Sequence, residues 1–155
     1  MIKRFFIAGV LISMLSSCLT PPDYDPVPKI EFDSLTKTYV QGFLVTDPPV
    51  LDSITFFISF TDGDGDLGTG ATDTTHNLFF VDSRTGFPYP FQFPYVTPEG
   101  NVKDISGIIS YTFSPFNCVP GHQVDTVSYT IYISDRAGHL SNEVTTPEIV
   151  IDCQQ

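Results

Sequence analysis

A hydrophobic period of two constrains this chain more than any other feature. Ile54, Phe56, Ile58 and Phe60 alternate with Thr55, Ser59 and Thr61. Val127, Tyr129, Ile131 and Ile133 alternate with Thr126, Ser128, Thr130 and Ser134, and Ile109, Tyr111 and Phe113 alternate with Ser110 and Thr112. Successive side chains of an extended backbone point to opposite faces, so each run reads as a strand with one buried face. Lys29 to Asp33, Thr38 to Val45, Leu78 to Asp82 and Glu143 to Ile151 are further strand candidates, each bounded by Gly, Pro, Asp or Asn turn residues. No window of about a dozen residues has helical spacing.

About seven or eight short strands in one domain predict an all-β, immunoglobulin-like β-sandwich, with a small β-barrel as the alternative. Ser53 to Thr61 takes the place of strand B, Thr126 to Ser134 of strand F, and Ser141 to Ile151 of strand G. Tyr129 stands early in F, where a tyrosine corner or plain packing would use it. With 41% hydrophobic residues, including fourteen Phe and seven Tyr, the chain has apolar surface enough to fold despite its acidity.

Cys118 precedes F and Cys153 follows G. Antiparallel F and G place those two points at one end of the sandwich, so a Cys118–Cys153 disulfide is expected, with two buried thiols as the alternative. No Cys-X-X-Cys pair accompanies them.

Phe60-Thr-Asp62-Gly-Asp64-Gly-Asp66-Leu-Gly68 is the sharpest motif. Alternating Asp and Gly let a loop curl until side-chain oxygens converge, as a hard cation such as Ca²⁺ requires. The spacing resembles the start of an EF-hand loop. Leu67 then stands where that loop needs Gly, Asp73 stands where it needs a bidentate Glu, and the flanks are strand and turn, so an EF-hand is excluded. A non-helical Ca²⁺ loop and a solvated turn both stay open. Strands B and F end at the same pole, which brings Asp135 of the F-to-G loop towards Asp62, Asp64 and Asp66 as a fourth candidate ligand.

Phe87-Pro-Tyr89-Pro-Phe91-Gln-Phe93-Pro-Tyr95 alternates aromatics with prolines. Proline forbids a central strand, so the segment belongs on an edge or loop, where Phe87, Tyr89, Phe91, Phe93 and Tyr95 are either a partner-binding surface or a cover for the core. A protein partner is preferred to a glycan, because Trp is absent. His76, His122 and His139 lie in separate loops without zinc spacing, and neither a Gly-X-Ser-X-Gly elbow nor a phosphate loop occurs. A non-enzymatic chain is expected.

The N-terminus supplies an address. Lys3 and Arg4 precede an apolar run from Phe5 to Leu15, and Leu15-Ser16-Ser17-Cys18 fits a lipoprotein cleavage box. Residues 1–17 are thus expected to be a signal peptide, 18–28 a lipidated Cys18 with a Pro- and Asp-rich tether, and 29–155 one β-sandwich domain. Past residue 17, five bases face eighteen acids, a net charge of −13 that disfavours nucleic acid and leaves the lipid as the membrane contact.

The lipobox, the tether, the acidic loop and the turn Ser134-Asp-Arg-Ala-Gly-His-Leu-Ser-Asn142 together resemble lipoproteins of Bacteroidota envelopes that carry an immunoglobulin-like domain. That resemblance implies an outer-membrane address, with the leaflet open, and no activity. The expected function is a lipid-anchored binding or scaffold module contacting another envelope protein, with a surface glycan-binding or adhesion module as the alternative.

Overall fold

The computed structural model describes residues 23–43, 51–70, 72–98 and 103–154. Ten strands follow in order: β1 (Lys29–Leu35), β2 (Tyr39–Gln41), β3 (Ile54–Asp62), β4 (Leu78–Asp82), β5 (Pro88–Phe91), β6 (Ile105–Phe113), β7 (Val124–Val127), β8 (Tyr129–Ile133), β9 (Val144–Thr145) and β10 (Ile149–Asp152). No helix occurs among the described residues. The signal peptide, Cys18 and the first tether residues lie outside them, as does the Leu44 and Val45 end of the second strand candidate.

The strands form three sheets, in the orders β1-β3-β6, β2-β10-β7 and β5-β4-β8-β9, and none closes on itself. The architecture is therefore the expected β-sandwich and not a barrel. β7 and β8 are the two halves of the predicted strand F, separated by Ser128 alone, and β9 and β10 are the halves of G. The second and third sheets accordingly run into one another along F and G.

The break in G has a local cause. Thr145 pairs with Thr130 and Ile149 with Val127, so residues 146–148 face only residues 128 and 129. Pro147 has no N–H to give the ladder. Thr146 compensates: its N–H donates to the Tyr129 carbonyl at 3.0 Å and its Oγ1 accepts from the Tyr129 N–H at 3.0 Å. A bulge of this kind bends the strand pair without leaving buried polar groups unmet.

The inward residues of β3, β4 and β8 build the core. Phe56 meets Phe80 edge to face at 5.3 Å, and Tyr129 lies 5.9 Å from Phe56 and 6.1 Å from Phe80. Tyr129 is thus a packing residue. Among the described residues its hydroxyl makes no hydrogen bond to an upstream loop, and no tyrosine corner is seen among them.

The two poles differ. At one, Arg84 grips the buried Asp82 through Nε (3.0 Å) and Nη2 (2.7 Å) and reaches Asp125 through Nη1 (2.8 Å). Cys118 and Cys153 are joined there, their Cα atoms 5.9 Å apart. The crosslink spans 35 residues, which the chain-entropy account values at about 3 to 4 kcal/mol. A Cys118→Ser, Cys153→Ser double variant is expected to lose stability of that size in chemical denaturation, and non-reducing peptide mapping should recover the two cysteines together. Free alkylation of both without reductant would remove the crosslink from the account.

Candidate functional site

The opposite pole is where β3 ends, β8 ends and the chain arrives from its N-terminal segment. Asp62 is the last inward position of β3 and is fully buried. Its Oδ2 accepts from the Asp66 N–H at 3.0 Å, which turns the loop back on itself. Asp66 Oδ2 accepts from the Ala137 N–H at 3.1 Å, and the Arg136 N–H reaches the Asp66 carbonyl at 3.3 Å, so the loop after β3 is fastened to the loop after β8. Asp135 in that second loop accepts from the His139 N–H and from its Nδ1, both at 2.7 Å.

Asp62, Asp66 and Asp135 each place one carboxylate oxygen so that the three lie within 4.8 Å of one another. The predicted neighbourhood of the two loops is therefore real. Asp64 stands outside that tight trio, although its carboxyl interacts with that of Asp66. The Oδ1 atoms of Asp62, Asp64 and Asp66 are all buried and have no hydrogen-bond partner among the described residues.

Glycine's role in the loop is close approach as well as turning. A Cβ on Gly63 would stand 2.1 Å from the Tyr24 carbonyl oxygen, because residues 24 and 25 lie directly across it. The Gly63 N–H donates to the Asp25 carbonyl at 3.0 Å, and the Tyr24 N–H donates to Asp104 Oδ1 at 2.7 Å. Gly68, at φ +76°, lies as closely under Pro94, where a Cβ would stand 2.0 Å from the carbonyl oxygen. Three chain segments thus converge on one loop.

Arg136 completes the pole, and sequence reasoning did not single it out. Its guanidinium donates to the carbonyls of Leu67 (3.1 Å), Gly68 (2.9 Å) and Gly65 (3.4 Å) and lies 5.2 Å from the centre of the Tyr95 ring. Among the described residues it forms no ion pair with the acids. Its position immediately after Asp135 was the available clue.

The electrostatics follow from burial. Desolvation pushes the Asp62 carboxyl up to about 6, reinforced by the charges of Asp64 and Asp66. Asp66 is raised as well, by burial first and then by Asp135 and Asp64. His139 is raised by its hydrogen bond to Asp135. His76 and His122 are exposed in loops.

The aromatic segment divides. Phe87 (59% exposed) and Tyr95 (54%) lie beyond the two ends of β5, Tyr89 and Phe91 are half-buried along it, and Phe93 is fully buried against Phe60 at 5.1 Å. Phe93 is therefore a core residue and leaves the predicted contact surface. β5 is an edge strand, as its prolines require, and on this side of the molecule the other layer ends in β6. Phe91 packs at a tilt against Tyr111 at 4.3 Å and Tyr89 meets Phe113 edge to face at 5.5 Å, edge strand against edge strand. A groove of about 270 Å³ runs there, lined by Tyr89, Phe91, Tyr111, Phe113, Pro115 and Asn117 among others, with no charged side chain.

Comparison of the chain with protein-family models, with curated proteins and with solved structures finds no match.

Asp62 yields a pH prediction for protein kept in chelator. A carboxyl whose folded pKa exceeds its unfolded value contributes stability that is complete below about pH 4 and is lost as pH rises through about 6. Asp62 should accordingly cost the chelated protein about 2 kcal/mol between those limits, and Asp62→Asn should flatten that part of a stability-against-pH profile. Equal slopes in the two proteins would show that Asp62 does not titrate there.

Proposed function

We propose that this chain is a lipid-anchored, non-enzymatic module of the cell envelope that binds another envelope protein through the groove between β5 and β6. The observation carrying this reading is the groove itself: aromatic, uncharged, and open between two sheet edges of a domain whose net charge past residue 17 is −13. Apolar aromatic surface supplies contact energy, while the surrounding negative field favours a neutral or basic partner over nucleic acid or anionic lipid. The partner chemistry that fits is an extended polypeptide segment with apolar side chains for the groove and basic residues flanking them.

The lipid anchor rests on the box ending at Cys18, and the outer membrane on the resemblance to Bacteroidota lipoproteins. Cys18→Ala should abolish labelling by a palmitate analogue and release the protein into the soluble fraction. Retained label and membrane association would refute the anchor.

The contact surface is tested separately. A photo-crosslinker at Phe87 should give one stoichiometric protein adduct in detergent-solubilised membranes, and Phe87→Asp should reduce capture of that protein at least tenfold with little change in melting temperature. Retention on polysaccharide without a protein adduct would favour the glycan-binding reading, which the open row of aromatics with Ser114 and Asn117 at its rim also suits.

A further inference from the structure

We infer that the pole formed by Asp62, Asp64, Asp66 and Asp135 is a Ca²⁺-binding site that clamps the loop after β3 to the loop after β8. Acidic side chains close together are common in turns, and alone they show nothing. Here the deciding observation is burial without partners. Asp62 is fully buried, its Oδ1 has no hydrogen-bond donor, and the same holds for the Oδ1 atoms of Asp64 and Asp66. A carboxylate removed from water demands a donor, a proton or a cation, because an unmet buried charge costs several kcal/mol.

Among the described residues, the nearest donors leave these Oδ1 atoms unmet. The Asp66 and Ala137 N–H groups take one oxygen each of Asp62 and Asp66, and leave the Oδ1 atoms free. Arg136, the cation nearest in sequence, is committed to three backbone carbonyls. His139 engages Asp135 from the outside. The loops are held in shape by backbone hydrogen bonds, so the carboxylates are gathered without being neutralised.

The dimensions suit calcium. Two oxygens on one Ca²⁺ stand at most about 4.6 to 5.2 Å apart, and the oxygens of Asp62, Asp66 and Asp135, no more than 4.8 Å from each other, can all reach a single ion of that size. Asp64, adjacent to Asp66, is the fourth carboxylate, and water fills the remaining places of a shell of six to eight. Mg²⁺, with an octahedral shell at about 2.0 to 2.1 Å, needs a tighter and more regular set. An all-oxygen donor group with no Cys and no inward His selects against Zn²⁺ and Cu²⁺.

Occupancy would act on more than the two loops. The backbone of Tyr24 and Asp25 rests on Gly63, between two of the proposed ligands, and Asp104 holds the Tyr24 N–H. A cation at this pole therefore also fixes the surface on which the N-terminal segment lies.

The experiment uses the mature chain, stripped with chelator and titrated with CaCl₂ alone by calorimetry and thermal melting. One Ca²⁺ per chain should bind, and the melting temperature should rise by about 10 °C at one hundred times the dissociation constant. Asp62→Asn and, independently, Asp66→Asn should weaken binding at least tenfold. In chelator each should melt at or above the unsubstituted protein, since each removes a buried charge while keeping an oxygen for its backbone N–H. No Ca²⁺ bound by the unsubstituted protein at millimolar concentration overturns the site. So do equal responses to Mg²⁺, or variants that melt lower in chelator and still bind Ca²⁺ normally.

Discussion

The alternation of β3 makes one interaction unavoidable. Ile54, Phe56, Ile58, Phe60 and Asp62 all point inward and are buried, while every residue between them is half-exposed. β3 pairs along its whole length with β6 and along much of it with β1, so a slip of one residue would turn four large apolar side chains out to water. The same register that buries Phe56 against Phe80 therefore drives the Asp62 carboxyl into the end of the core. Asp62 cannot be relieved by rotating the strand, and the pole around it is built to accommodate a charge whose position the core dictates.

That accommodation is made almost entirely by backbone. Asp62 fixes the turn through the Asp66 N–H, Asp66 fixes the next loop through the Ala137 N–H, and Arg136 returns to hold three carbonyls of the first loop. Each bond shapes the loops, and the N–H groups that reach the carboxylates offset their burial only in part, so Asp62 and Asp66 are still raised. Glycine at 63 and 68 lets residues 24 and 25 and residue 94 press onto the same turn, which closes the pole without adding positive charge.

Much of the fold was legible because strands with one buried face write a period of two into sequence. The interior of β3 and all of β8 follow it directly, and the pairing of Cys118 with Cys153 followed from F and G being antiparallel neighbours. The proximity of Asp135 to the acidic loop was legible for the same topological reason. What was not legible depended on contacts between segments far apart in the chain. Phe93 sits among prolines in a segment that reads as an exposed edge, and only the approach of Phe60 makes it core. Arg136 looks like any charged turn residue until three carbonyls surround it. The break in G at Pro147 was not read from the sequence, where Ser141 to Ile151 reads as one strand, and the recovery of the lost bond by Thr146 and Tyr129 required the partner strand in place. The overlay of Tyr24 and Asp25 on Gly63 had no sequence signal, since a tether rich in Pro and Asp reads as solvated.

The two poles carry their acids in opposite ways, and this bears on the proposed anchor. At the disulfide end a single guanidinium spans Asp82 and Asp125, so charge and covalent closure coincide. At the other end the acids gather where the chain comes in from its N-terminus. Asp25 is seven residues from Cys18, a reach of about 25 Å at full extension, so an anchored molecule keeps this pole within that distance of the membrane surface and, when the tether is less extended, within range of its charge. Anionic headgroups repel bare carboxylates, with a screening length of about 8 Å at physiological ionic strength. A divalent cation among Asp62, Asp66 and Asp135 lowers that repulsion on the face where the tether leaves least room to escape it. The anchor and the cation site are separate proposals, but they act on the same end of the molecule: the shorter the tether lies over Gly63, the more the seating of the domain depends on what neutralises the acids beneath it.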